Sequence, residues 1–229
     1  MTLDDARMTE PQRGSWSSAR PGAATTDIVL LRHGDTRLTP ERRFSGTGSG
    51  DPGLSATGGE QIRRAARGAL LRSTPFAAVV SSPLRRCQET AALLAAELQL
   101  PVKVEVDLRE ADFGDWEGLT LAEVERAHPL DLAAWQRSAD VAPTGSSETF
   151  GDVLRRVGDL ADRLAVTHAG SAVLAVSHVT PIKAFVAHAL GASAMALFKM
   201  ELSSAALTRI TCTGPDWLLR SFNDTSHLT

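Results

Sequence analysis

The chain has few of the residues that the commoner site chemistries require. Only two cysteines occur, Cys87 and Cys212, and they form no C-x-x-C pair. That excludes a disulfide scaffold and a cysteine zinc site. No H-E-x-x-H is present, so the usual histidine zinc spacing is missing too. G-x-S-x-G, the strand-to-helix turn of many serine hydrolases, is absent, and so is the phosphate loop G-x-x-x-x-G-K-[ST]. No apolar run approaches the ~20 residues of a membrane span. Residues 1–26 hold no continuous apolar segment, which argues against a signal peptide and makes the cytoplasm the expected location. The net charge is −3, so neither nucleic acid nor an anionic membrane is an expected partner. Among 24 basic residues only Lys103, Lys183 and Lys199 are lysines. The skew reads as codon bias, although arginine also suits phosphate geometry.

What remains is ordinary globular material: 229 residues, 43% apolar, enough for one sizeable core. Residues 1–26 are polar and rich in Pro, Gly, Ser and Thr, as expected of a disordered tail. From Asp27 to Thr229 short apolar runs alternate with helical stretches, which predicts one domain. Strands are expected at 27–31, 76–81, 102–106, 172–177, 204–211 and 216–222. Helices are expected at 55–72, 83–98 (Pro83 at its first position, after the possible caps Ser81 and Ser82), 146–169 and 181–190, with one or two more in 120–137. This alternation predicts an α/β fold, a three-layer α/β/α sandwich with a mostly parallel sheet and a small helical lid at about 115–147.

Four expected strands end on chemically similar residues. "IVLL" is followed by Arg32 and His33, "AVVS" by Ser82 through Arg86, "VKVEV" by Asp107 through Glu110, and "VLAVS" by His178. Ligands of parallel α/β sheets bind beyond the carboxyl ends of the strands. Parallel neighbours would therefore gather two histidines, two arginines and a carboxylate at one edge. Helix N-termini would join them, among them the one at Val179. Arginine forks match phosphate oxygens, a neutral histidine can attack phosphorus, and a carboxylic acid can protonate a leaving oxygen. Each feature alone is weak. R-H-G taken singly is more often structural, Arg85 and Arg86 can be read as a solvated helix start, although cations are mildly unfavourable there and the misfit slightly favours function, and His128, His168, His188 and His227 read as structural or surface residues. The coincidence of four strand ends carries the case.

The stretches "LLRHGDT", "RFSG", "LSATG", "VVSSPLRRCQETA", "LREADFGDWEG", "AVSHVTPIK" and "FNDTSHL" together resemble the histidine phosphatase superfamily, the phosphoglycerate-mutase-like family. Within it the chain is similar to bacterial alpha-ribazole-phosphatase-like enzymes. Some of these form the carboxyl half of two-domain proteins behind a ribonuclease H, so residues 1–26 are expected to precede the phosphatase core. The resemblance implies a metal-free, cofactor-free phosphomonoesterase acting on a small phosphorylated metabolite, with a homodimer left open. It implies His33 as nucleophile, Arg32 and Arg86 as phosphate clamp, His178 as second pocket histidine and Glu110 as proton donor. Thr39, Ser45, Glu148 and Val179 fall at substrate- or phosphate-binding places. Asp35 and Thr39 depart from the family's usual Glu or Gln and Asn. A phosphoglycerate-type mutase and a catalytically silent relative are the alternatives. The short span from Glu110 to His178 disfavours the first, and the complete set of five core residues disfavours the second.

Overall fold

A computed structural model describes residues 24–48 and 50–229. Six strands form one sheet in the order β3-β2-β4-β1-β5-β6. They are β1 (Thr25–Arg32), β2 (Phe76–Ser81), β3 (Val102–Val104), β4 (Ala172–Ser177), β5 (Leu207–Thr213) and β6 (Asp216–Asp224). β1 pairs parallel with β4, β4 with β2, and β2 with β3. β5 runs antiparallel to both β1 and β6, so it alone is reversed and the expected mostly parallel sheet is present. Helices α1 (Ala56–Arg67), α2 (Ala69–Ser73), α3 (Arg85–Leu98), α4 (Leu121–Ala127), α5 (Pro129–Trp135), α6 (Phe150–Thr167) and α7 (Val179–Ala189) complete the fold.

Alternation along the central strands divides the core into two layers. Ile28, Leu30, Val173 and Ala175 pack with Val153, Val157 and Leu160 of α6 and Phe185 of α7. Val29, Leu31, Leu174 and Val176 pack with Ile62 of α1 and Cys87, Ala91 and Leu94 of α3. Every residue of β4 is buried, which is why its sequence reads as an unbroken apolar run. Each fully buried Val, Leu or Ile contributes roughly 1.5–3 kcal/mol relative to exposure.

Several element boundaries differ from the sequence reading, each for a local reason. Residues 1–23 of the expected tail lie outside the described residues. Thr25 and Thr26 belong to β1, and the buried Thr26 hydroxyl donates to Ala165 O at 2.8 Å. The expected 55–72 helix breaks at Gly68, whose backbone is extended and which stands 3.2 Å from His227 where a Cβ would lie. α3 starts at Arg85 and not at Pro83, because Ser82 Oγ is engaged with His178 and accepts Leu84 N–H at 3.3 Å. β3 stops at Val104, and Val106–Leu108 make a tight 3-10 turn. α6 starts at Phe150, where Thr149 and Asp152 form a reciprocal capping box. α7 begins two residues early at Val179, and Pro181 is tolerated because first-turn N–H groups have no intrahelical acceptor.

Between β3 and α6, α4 and α5 hold an aromatic cluster over one end of the sheet. Trp135 lies edge-on to Trp116, Phe150 and Phe198, with ring centroids 5.3, 4.9 and 4.6 Å away. This is the expected lid region. Among the described residues no helix is long and apolar enough to cross a membrane.

Candidate active site

The carboxyl ends of β1, β2 and β4 meet at a cavity of about 560 Å³. Its walls include Arg32, His33, Thr39, Ser45, Arg86, Glu110 and Val179, seven of the nine residues expected from the sequence. The topology does this directly. β1 delivers Arg32 and His33, the turn after β2 leads to Arg86, and the turns after β3 lead to Glu110.

His33 is buried, and its Nδ1 lies 2.8 Å from Gly34 O. A carbonyl can only accept, so Nδ1 carries the proton and Nε2 holds the free lone pair. Burial, then the Arg32 and Arg86 guanidiniums, push its pKa well below the usual histidine value, so the ring is neutral near pH 7. Gly34 is required here: a Cβ would stand 2.5 Å from Gly58 O, so the glycines of "RHG" and "SATG" abut backbone to backbone.

Arg86 is 1% exposed. Its Nη1 contacts Asp51 at 3.2 Å, and Nη2 contacts Ser45 O at 2.8 Å and Gly46 O at 3.3 Å. The neighbouring Arg85 is the solvated helix-start residue, paired with Glu89 at 2.7 Å. Adjacent helical positions face about 100° apart, so the two arginines separate. Arg32 Nη1 donates to Leu202 O at 2.7 Å, and its buried Nε has no partner among the described residues. The Glu110 carboxylate is buried and accepts Ala111 N–H at 2.9 Å and Thr180 N–H at 3.2 Å, which ties it to the first turn of α7. Thr39 Oγ1 accepts Thr36 N–H at 2.9 Å, while Asp35 is bonded to Gln61 of α1 and lies outside the cavity wall.

Two expected site residues do not line the cavity. His178 is fully buried behind the wall, 5.1 Å from His33 between ring centroids. Both its nitrogens are engaged: Arg86 Nε donates to Nδ1 at 3.2 Å, and Ser82 Oγ lies 2.7 Å from Nε2. Burial, then Arg86, His33 and Arg32, hold its pKa well below the ordinary value. Glu148 does not line the cavity. It accepts from Arg109 at 2.7 Å and from Arg156 at 2.8 and 3.2 Å, an ion-pair hub that joins α6 to the loop after β3. The Cys87 thiol is buried against His178 and its pKa is pushed up, so it is a poor nucleophile. Among the described residues no three His, Cys, Asp or Glu side chains cluster at metal-binding spacing.

Some wall residues were not singled out from the sequence. Arg42, Lys183 and Glu201 add charge, and Phe44, Phe113, Trp135, Phe150 and Phe198 add an apolar side. Lys183 had one usable signal: it stands four residues after Val179, hence on the same face of α7.

With this geometry the chain belongs to the histidine phosphatase superfamily (branch 1), which it matches over residues 28–225. It is 45% identical over 198 residues to the bifunctional protein Rv2228c of Mycobacterium tuberculosis, covering 86% of this chain and 53% of that protein. The chain thus spans about half the length of the curated relatives it matches first. Among solved structures it resembles mycobacterial glucosyl-3-phosphoglycerate phosphatase Rv2419c, with TM-score 0.76, 31% identity, and 87% of this chain and 99% of that one covered. It also resembles an Escherichia coli protein described as a candidate alpha-ribazole-5′-P phosphatase, with TM-score 0.77, 28% identity, and coverage of 87% and 97%.

Proposed function

We propose that this chain is a metal-independent phosphomonoesterase that acts through a phosphohistidine at His33 on a small phosphorylated metabolite. The observation that carries the reading is the neutral His33 ring, its Nδ1–H held by Gly34 O, in one cavity with Arg32, Arg86 and Glu110. Membership in a superfamily whose similar members include glucosyl-3-phosphoglycerate phosphatase supports hydrolysis.

In this reading the Nε2 lone pair forms the N–P bond while the ester P–O bond breaks. Arg32 and Arg86 offset the charge on the phosphoryl oxygens. Glu110 gives its proton to the leaving oxygen, then takes one from the water that attacks phosphorus and displaces His33. His178 acts from behind: it buttresses Arg86 and the His33 ring without needing to touch the phosphoryl group.

The test is phosphate release from p-nitrophenyl phosphate and from a panel of phosphorylated metabolites, with and without vanadate and EDTA. Turnover blocked by vanadate and indifferent to EDTA is expected. A chelation-sensitive activity restored by one divalent ion would overturn the metal-free reading.

A further inference from the structure

The two arginines that face the cavity beside His33 are held unequally. Arg86 donates to His178, Asp51, Ser45 O and Gly46 O. Arg32 makes one hydrogen bond among the described residues, from Nη1 to Leu202 O at 2.7 Å, and its buried Nε makes none. The direction of the Arg32 fork therefore rests on the direction of the Leu202 carbonyl.

That carbonyl shares one planar peptide unit with Ser203 N–H. Ser203 N–H donates to Asn223 Oδ1 at 2.8 Å. A trans peptide aims its N–H and C=O in opposite directions, so the unit is a rigid bridge with Asn223 on one side and Arg32 on the other. Hydrogen bonds chained in this way polarise and strengthen one another. The backbone at Asn223 is shaped to make the bridge. Leu207 pairs with Asp224 and Arg209 with Ser221, so Phe222 and Asn223 together oppose Thr208 in a β-bulge. Asn223 has a φ of 55°, a left-handed conformation that asparagine accepts more readily than most side chains. The bulge turns its amide from β6 toward the 201–206 loop. The same loop also holds the backbone of the nucleophile: Arg32 N–H donates to Ala206 O at 3.1 Å, and Ala205 N–H to His33 O at 3.2 Å.

Resting on the phosphatase reading, we infer that Asn223, which lies outside the cavity wall, is a positioning residue: through the Leu202–Ser203 peptide it orients the Arg32 guanidinium toward the phosphoryl oxygens. It touches no reacting group, and its whole effect passes through Arg32.

Two substitutions separate the amide from the backbone. Asn223→Gly removes the acceptor and keeps a residue at ease with positive φ, whereas Asn223→Asp keeps an acceptor oxygen for Ser203 N–H. With p-nitrophenyl phosphate, Asn223→Gly should lower kcat/KM by about 10–100-fold, the cost of a misdirected charged donor. Binding of inorganic phosphate, read by titration calorimetry, should weaken by about tenfold. Asn223→Asp should stay within about threefold of wild type in both readouts. The decisive measurement is a double-mutant cycle: with Arg32→Lys already present, Asn223→Gly should cost less than about threefold further. Partial unfolding by Asn223→Gly would lower both backgrounds equally and so cannot imitate that result. Wild-type behaviour of Asn223→Gly overturns the inference. So does an Asn223→Asp that loses as much as Asn223→Gly, or a loss of equal size with and without Arg32→Lys, which would make Asn223 a brace of the fold alone. A wild type that binds phosphate but leaves p-nitrophenyl phosphate intact overturns the phosphatase reading only, and the phosphate titrations still decide the inference. One that does neither overturns both.

Discussion

Arg86 Nε donates to His178 Nδ1 at 3.2 Å, and this fixes the state of both side chains. With Nδ1 as acceptor, neutral His178 carries its proton on Nε2 and donates it to Ser82 Oγ at 2.7 Å. Lysine has no planar fork to make this bond together with those to Asp51 and Ser45 O. Arg86→Lys should therefore lower kcat/KM about 10²-fold, a typical cost for one lost transition-state donor. It should also destabilise the fold by about 1–3 kcal/mol through the unpaired buried groups. Steady-state kinetics and urea unfolding check the two parts.

His33→Ala should abolish turnover and covalent labelling together. Labelled substrate quenched without acid should leave phosphate on the wild-type chain. Label that still attaches to the variant would assign the nucleophile elsewhere.

Glu110→Gln keeps an oxygen for Thr180 N–H and removes the transferable proton. Phosphorylation by alkyl phosphates should slow by about 10²–10⁴-fold. p-Nitrophenyl phosphate, whose leaving group needs little protonation, should lose far less. Equal losses in single-turnover phosphorylation would make Glu110 an orienting residue.

Glu148→Ala should act on stability and not on chemistry. It removes the carboxylate partner of Arg156, whose side chain is 8% exposed and keeps only the Asp107 and Glu110 carbonyls, and leaves Asp112 N–H without its acceptor. About 3 kcal/mol of destabilisation is expected, in line with removal of one partner from a buried pair. Chemical denaturation measures it. Unchanged stability with lost turnover would return Glu148 to the site.

Acid should destabilise the protein partly through His33 and His178, whose folded pKa values lie below the unfolded value. Below pH ~6.5 an unfolded histidine binds a proton that the folded one refuses, so stability rises with pH across this window. The contribution is complete above about pH 6.5 and is lost as pH falls toward the folded values. Each histidine adds at most about 1.4 kcal/mol per pH unit. Unfolding free energies at pH 7.5 and 5.5 should differ less for His33→Gln than for the wild type.

The sequence alone determined the layered α/β fold, because apolar periodicity records which residues must leave water. It also determined that Arg32, His33, Arg86 and Glu110 share one edge, because a parallel sheet brings the ends of its strands together. Local chemistry blurred the helix starts: whether Ser82 caps a helix or bonds His178 depends on a partner 96 residues away. The tertiary structure decided what depends on competition between distant groups. Glu148 was available to the cavity in sequence, but Arg109 and Arg156 claim its carboxylate. His178 followed a strand like the other site residues, yet Arg86 and Ser82 occupy both its nitrogens behind the wall. Lys183 was marked only by its place four residues after Val179, and packing against Leu197 sets its ammonium on the cavity wall with Glu110 and Glu201 nearby.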